Sequence, residues 1–204
     1  MRNNLFAPFT FYTIEQINDL IIEETITVNE TKYSIKRHLN SFYQTDENQR
    51  KLIHKIVYNE FRRCTRSLND INALFLGGEM YIYGKIFDEF LSKKIYVTDT
   101  KSLYDDAIIN DPSPHKSTYH LVSYNSNNII TDGINILISN ISKTGLGRLL
   151  CEQINSCSIQ YLILISCNYK VTNRDIDMLS VYRVKKIIKI TGSYDVFISV
   201  LELI

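Results

Sequence analysis

Residues 161–168 read Tyr-Leu-Ile-Leu-Ile-Ser-Cys-Asn, an apolar run that ends in a thiol and an amide. A short apolar run followed at once by polar residues is typical of a strand that is buried on both faces of a sheet. Such sheets are mostly parallel, and open α/β sheets carry their chemistry at the carboxyl ends of the strands. The segment therefore predicts an α/β sheet with Cys167 at its functional edge, although a lone cysteine taken in isolation more often serves packing.

Apolar runs of the same length recur through the rest of the chain, separated by amphipathic stretches. We predict seven strands, at residues 73–76, 95–98, 119–123, 134–139, 161–165, 184–190 and 196–203. Strands that alternate with helices indicate a mostly parallel sheet with helices on both faces. Only Thr191-Gly-Ser-Tyr-Asp195 joins the last two runs, which predicts a closing antiparallel hairpin.

The first third of the chain has a different pattern. Residues 14–22 have helical spacing, and two β-rich pieces at 25–28 and 33–36 predict a hairpin. Apolar residues at helical spacing follow over 46–66, with Asp46 as a plausible N-cap. We therefore divide the chain into an appendage of a helix and a hairpin at 1–40 and a main domain at 41–204.

Composition narrows the classes of function. The chain has 204 residues and a formal net charge of +1, so any nucleic-acid contact must come from a local patch. Arg62, Arg63 and Arg66 form one such patch, which is either a solvated face of a helix or a phosphate contact.

The four cysteines lack the paired CxxC spacing of zinc sites, and the histidines show no ligand spacing, so no metal site is predicted. The first residues lack the apolar stretch of a signal peptide, and no apolar run reaches the ~20 residues of a membrane span. We expect a soluble, cytoplasmic protein in a reducing setting.

Five features occur in a fixed order along the chain. They are Ser41-Phe-Tyr-Gln-Thr-Asp-Glu-Asn-Gln49, Leu74-Phe-Leu-Gly-Gly78, Asn140-Ile-Ser-Lys-Thr-Gly-Leu-Gly147, Ser166-Cys-Asn168 with Asn173-Arg-Asp175, and Asp195. In this order and spacing they resemble the SFFQVNPEQ, LYCG, DPPRKGLG and SCNPxTxxRD motifs and the final acidic base of the RNA uracil-C5 methyltransferases. This class I S-adenosylmethionine-dependent family modifies tRNA and ribosomal RNA, and the resemblance covers roughly residues 23–204.

The resemblance implies a cofactor, a fold and a set of site residues. The fold is the Rossmann-like, seven-stranded class I methyltransferase fold, and the cofactor is S-adenosylmethionine. The cofactor side would include Asn140, at the position of an aspartate that helps to hold the target base, together with Gln44, Gly77, Gly78 and Asp99.

The catalytic pair implied by the resemblance is Cys167 and Asp195. Cys167 would add as a thiolate to C6 of uracil, and Asp195 would later remove the proton from C5. Arg174 is expected to supply part of the positive potential that a thiolate needs. The implied partner is RNA, and because the chain lacks an oligonucleotide-binding barrel, a protein partner is expected to help hold that RNA.

Several positions depart from the family's pattern. Glu79 replaces a glycine of the cofactor loop, where its carboxylate could obstruct the ligand. The 140 loop loses its aspartate and both prolines, and Asp195 stands in place of a glutamate. Two functions therefore stay open: an RNA uracil-C5 methyltransferase, or a catalytically inactive relative that serves as a regulatory or scaffolding subunit or an RNA-associated protein.

Overall fold

The structure, a computed structural model, describes residues 20–42, 46–126, 129, 133–141 and 144–204. Its strands are β1 (Ile21–Val28), β2 (Thr31–His38), β3 (Asn72–Gly77), β4 (Lys93–Thr98), β5 (Ser117–Leu121), β6 (Ile136–Asn140), β7 (Tyr161–Ser166), β8 (Tyr182–Ile190) and β9 (Val196–Leu203). Its helices are α1 (Glu47–Thr65), α2 (Met80–Ile86), α3 (Lys101–Asn110), α4 (Gly147–Ser156) and α5 (Tyr169–Met178), with short 3-10 helices at Asp88–Phe90 and Pro114–Lys116.

Seven of these strands form one sheet in the spatial order β5-β4-β3-β6-β7-β9-β8. The pairs among β3, β4, β5, β6 and β7 are all parallel, whereas β9 is antiparallel to both of its neighbours. The predicted α/β class, the seven strands and the closing hairpin are thereby confirmed. Because the parallel strands point the same way, their carboxyl ends meet at one edge, and β9 begins at that edge.

Two apolar layers cover the faces of this sheet. Along β3, Ala73 and Phe75 face one layer, while Leu74 and Leu76 face the other. The first layer contains α1, α2, α3 and the apolar side of the β1/β2 hairpin, and the second contains α4 and α5. Each buried Leu or Phe contributes about 1.5–3 kcal/mol, so the alternation within each strand fixes which side chains face which layer.

The hairpin has a two-residue turn at Asn29 and Glu30, whose φ angles are +46° and +69°. Two consecutive left-handed residues match the twist of a tight hairpin. The hairpin confirms the prediction for 25–36, but β1 begins earlier than expected and corrects the helix predicted over 14–22. Ile21 and Ile22 pair with β2, because cross-strand hydrogen bonds outweigh a local helical pattern; residues 14–19 lie outside the described residues.

Helix α1 begins where the sequence predicts. The side chain of Asp46 accepts a hydrogen bond from the backbone N of Gln49 at 2.9 Å, which caps the helix. Within the described ranges, no helix combines the length and the apolar character that crossing a bilayer demands.

Candidate active site

The candidate residues lie along the carboxyl edge of the sheet in the order of its strands. Asp99 follows β4, Gly77 ends β3, Asn140 ends β6, and Cys167 follows β7. Asp195 precedes β9, whose Phe197 pairs with Ser166 of β7. The topology therefore brings together residues that are almost 120 positions apart in sequence, and it makes Cys167 and Asp195 neighbours across one strand pair.

A cleft of about 160 Å³ opens over the ends of β3 and β4. It is lined by Phe42, Gly77, Gly78, Asp99, Thr100, Leu103, Tyr124, Asn140, Ile141 and Thr144. Apolar walls with one carboxylate and a few hydroxyl and amide groups suit a ligand that has a flat apolar part and hydroxyl groups.

The two glycines of the cleft are required by close approach. Gly77 has a φ of +82°, and a Cβ there would lie 2.7 Å from the carbonyl oxygen of Asn140. Gly78 donates its backbone N–H to that same oxygen at 2.8 Å. A Cβ on Gly78 would lie 2.4 Å from Cδ1 of Phe42, so the Phe42 ring covers this glycine and occupies part of the cleft.

Asp99 is exposed at the rim of the cleft, one residue beyond β4. One of its oxygens accepts a hydrogen bond from the hydroxyl of Thr100 at 3.1 Å. Tyr124 lies beside it, and burial raises the pKa of that phenol to about 12, so Tyr124 keeps its proton at neutral pH. The Tyr124 hydroxyl contacts Thr98 and the backbone of Asp99, so the Asp99 carboxylate is the acceptor that the rim presents to sugar hydroxyls.

Glu79 corrects the expectation that its carboxylate obstructs the cleft. Its φ of +56° is left-handed, and its side chain is fully buried. Its Oε2 accepts from Nδ2 of Asn140 at 3.4 Å and lies 3.6 Å from Nε2 of His54. A left-handed non-glycine residue costs about 1–2 kcal/mol, which these buried contacts must offset.

The Glu79 contact also orients Asn140. A carboxylate only accepts hydrogen bonds, so the NH₂ group of Asn140 faces Glu79 and its amide oxygen faces away from it. Asn140 therefore offers a neutral amide acceptor.

Arg174 contacts the loop before α4 and its own helix. Its guanidinium donates to the carbonyl oxygen of Thr144 at 2.7 Å and to Asp175 at 2.6 Å. The other Asp175 oxygen accepts from the backbone N of Leu146 at 2.7 Å. Arg174 and Asp175 together hold the start of α4 against α5, and this contact leaves no room for a side chain at Gly145.

Cys167 is exposed, between the end of β7 and the first residues of α5. The next residue, Asn168, caps α5 by accepting from the backbone N of Lys170 at 3.1 Å and of Val171 at 3.4 Å. The cap directs the positive end of the α5 dipole toward the turn that holds Cys167. The exposed thiol is open to a substrate, whereas Cys151 is buried, as predicted for a packing residue.

Asp195 is partly exposed and forms an ion pair with Lys189 at 2.7 Å. The loop before it is tied to the start of α1. Gln49 donates to the carbonyl oxygen of Tyr194 at 2.5 Å, and Ser193 donates to Asp46 at 2.7 Å. Burial, followed by the nearby Glu79 and Cys167, raises the pKa of Tyr194.

Sequence reasoning missed the residues that complete the cleft. Phe42 is part of the quoted 41–49 segment, yet only Gln44 was singled out there, and Gln44 itself lies outside the described residues. Tyr124 carries no motif, since only the folded chain brings it to the cleft, and His54 likewise reaches the buried Glu79 only in the folded chain. Among the described residues, no group of three or more His, Cys, Asp or Glu side chains is placed to bind a metal ion.

Comparison with known proteins identifies the fold. No protein-family model and no curated protein sequence matches the chain. Among solved structures, a Pyrococcus abyssi tRNA (uracil-54, C5)-methyltransferase in complex with S-adenosyl-L-homocysteine is similar, with a TM-score of 0.62 and 19% identity. The similarity covers 88% of this chain but 44% of that enzyme, so this chain spans less than half of the enzyme's length.

Two further structures give the same result. The N-methyltransferase NodS from Bradyrhizobium japonicum, in complex with S-adenosyl-L-homocysteine, has a TM-score of 0.62 at 9% identity and covers 78% of this chain and 89% of its own. A ribosomal protein L11 methylase from Lactobacillus delbrueckii has a TM-score of 0.57 at 9% identity, and the similarity covers 81% of this chain and 91% of the methylase. The chain has the class I methyltransferase fold.

Proposed function

We propose that this chain is an S-adenosylmethionine-dependent methyltransferase that modifies C5 of uracil in RNA. The observation that supports this most is that an exposed thiol, Cys167, and an acid, Asp195, flank the paired ends of β7 and β9 at the carboxyl edge of the sheet. On the same edge, the Gly77-Gly78 turn lies two strands from β7, and Asp99 follows β4, the next strand beyond. A thiol, an acid and a cofactor-type cleft in this arrangement are the groups that uracil-C5 chemistry requires.

The cleft residues fit the cofactor. Asp99 would accept hydrogen bonds from the ribose hydroxyls, Leu103 and Ile141 would contact the adenine, and the Gly77-Gly78 turn would allow close approach. The cleft volume of about 160 Å³ is below the ~300 Å³ of common ligand pockets, so the Phe42 ring must withdraw from Gly78 when the cofactor binds. When bound, the cofactor supplies an electrophilic methyl group on a sulfonium.

In the proposed reaction Cys167 acts first. Its thiolate would add to C6 of an extruded uracil and push the C5–C6 π electrons into an enolate. C5 of that enolate would then take the methyl group as the methyl–sulfonium bond breaks, with S-adenosylhomocysteine as the leaving group. The Asn140 amide oxygen would accept a hydrogen bond from a base N–H. Asp195 then removes the proton from C5 while the C6–S bond breaks, which releases the thiolate and the methylated base.

Cofactor binding is tested first, by isothermal titration with S-adenosylmethionine and S-adenosylhomocysteine. We expect micromolar binding by the unaltered chain. Asp99→Ala should weaken it about tenfold or more, because a hydrogen bond to a charged group contributes about 1.5–3 kcal/mol. Asp105→Ala, a nearby surface acid in an ion pair with Lys101, is the matched control and should bind normally.

The covalent step is tested by transfer of a labelled methyl group to unmodified tRNA and rRNA transcripts. Cys167→Ser should abolish transfer, while Cys157→Ser, at another free cysteine, should not. RNA that carries 5-fluorouracil should remain covalently bonded to the unaltered chain. Its C5 carries fluorine in place of the hydrogen that Asp195 would remove as a proton, so the C6–S bond cannot be eliminated. Full transfer by Cys167→Ser would contradict this mechanism.

A second function, a non-catalytic scaffold with this fold, is favoured by the Phe42 ring that covers Gly78. The same titration separates the two. No binding of either cofactor form by the unaltered chain would reject the enzyme and support the scaffold.

A further inference from the structure

A basic groove lies at the amino ends of the parallel strands, at the edge of the sheet opposite to the cleft. It has a volume of about 570 Å³ and is formed by the end of α1, the residues before β3 and the 3-10 helix before β4. We define the basic groove by Arg62, Arg63, Arg66, Asn69 and Phe90. All three arginines are exposed, so the patch that the sequence indicated forms one continuous concave surface.

Of the three arginines in the groove, only Arg63 forms an ion pair among the described residues. The Arg62 guanidinium lies 4.0 Å from the centre of the Phe90 ring, which holds its plane and leaves its N–H edge free to donate. Arg63 pairs with Glu60 at 2.7 Å. Within the described part of the chain, neither Arg62 nor Arg66 forms an ion pair, so two cationic charges are available to a ligand.

The positive surface continues onto β8. Lys186 contacts Glu60 at 2.7 Å, and Arg183 and Lys185 both contact Glu202. Together with the groove arginines this makes six cations against two carboxylates, a net charge of +4. The whole chain carries only +1, so this end of the molecule holds a concentrated positive field.

We propose that the basic groove and the adjoining part of β8 bind the phosphate backbone of an RNA at a site separate from the cleft. Guanidinium groups match phosphate oxygens in pairs, and arginine is the residue best suited to them. β3 runs from one edge of the sheet to the other over six residues, a span of about 20 Å at ~3.3 Å per residue. A structured RNA is large enough to contact both edges. The choice of RNA over another polyanion rests on the proposed function.

The test is fluorescence anisotropy of a labelled single-stranded poly(U) oligonucleotide, measured without cofactor so that failure of cofactor binding does not affect it. The Arg62→Glu/Arg66→Glu double variant should lose affinity at least about tenfold. Its salt dependence should become shallower by roughly 1.4 in log–log slope, since about 0.7 is lost for each phosphate contact to a single strand. Arg66→Glu alone keeps the Arg62–Phe90 contact and should show a smaller loss.

The matched control is Lys32→Glu/Lys55→Glu, which changes the net charge equally but lies at the hairpin turn and the middle of α1. It should change the affinity less than about twofold. Equal losses for the two double variants would reject a specific site in favour of net charge alone. Displacement of poly(U) by polyglutamate at equal charge concentration would also overturn the proposal and indicate an acidic protein as the partner.

Discussion

At the scale of single residues, several buried polar groups decide how stable this fold is. Tyr96 and Tyr119 illustrate two opposite cases on neighbouring strands, with rings stacked at 5.2 Å. The Tyr119 hydroxyl donates to Asp111 at 2.5 Å. The Tyr96 hydroxyl is buried, and no partner for it is found among the described residues.

These two tyrosines give a paired prediction. Tyr96→Phe should raise the free energy of unfolding by about 1 kcal/mol, because a buried hydroxyl that forms no hydrogen bond loses its contact with water and gains nothing in exchange. Tyr119→Phe should lower it by about 1.5 kcal/mol, because Asp111 loses a donor. Urea denaturation of both variants checks the signs, and a loss for Tyr96→Phe would show that its hydroxyl has a bound partner such as water.

Only some of the site residues could be predicted from the sequence. It located Cys167, Asp99 and Asp195, since each follows or precedes a recognisable strand. It did not reach the orientation of Glu79, whose side chain turns inward because His54 and Asn140 offer it buried contacts. Both partners are more than twenty residues away, so no local pattern reports them.

At the scale of elements, the contact between the start of α4 and α5 fixes the loop after β6. Gly145 and Gly147 have nearly equal φ angles, +72° and +74°. A Cβ on Gly145 would lie 2.2 Å from Oδ2 of Asp175, whereas one on Gly147 would have nothing within 4 Å. The two glycines therefore separate backbone strain from a steric clash.

We predict that Gly147→Ala lowers the free energy of unfolding by about 1–2 kcal/mol, the cost of a left-handed alanine. Gly145→Ala should cost about 3 kcal/mol or more, because it adds overpacking and displaces the carboxylate that accepts from Leu146. Thermal unfolding of the two variants gives the comparison. Equal losses would mean that α5 does not hold this loop.

At the scale of the whole molecule, one buried charge network joins segments from three parts of the sheet's amino edge. Lys94, fully buried at the start of β4, contacts Asp111 and lies 2.5 Å from Asp88. The Asp111 side chain is also buried, and it contacts Tyr119 of β5. Burial alone would raise the pKa of Asp111, but the hydrogen bonds from Lys94, Ser117 and Tyr119 outweigh it and lower that pKa.

The lowered pKa predicts a direction for acid unfolding. Asp111 binds a proton less readily in the folded chain than in the unfolded chain, where its pKa has the ordinary value of 3.8. Its contribution to the free energy of unfolding is therefore present above pH 3.8 and is lost as the pH falls through the folded pKa. Asp111→Asn should cost about 3 kcal/mol near neutral pH, because Lys94 loses a buried partner but keeps Asp88.

Chemical denaturation over a series of pH values checks this. The gap in stability between the unaltered chain and Asp111→Asn should narrow as the pH falls below the ordinary carboxyl value. Asp105→Asn, which removes only the surface pair with Lys101, should cost under about 1 kcal/mol and serves as control. A gap that stays constant through the acid range would contradict the assignment.

The sequence by itself determined the number, order and approximate bounds of the seven strands, the closing hairpin and the cap of α1. These features depend on period, apolar run length and local hydrogen bonding, which neighbouring residues carry. Only the tertiary structure decided that Glu79 faces the core, that Arg174 holds Thr144, that Phe42 covers Gly78 and that the arginines of α1 line a groove. Each of these depends on contacts between side chains that are distant in sequence and meet only when the sheet has formed.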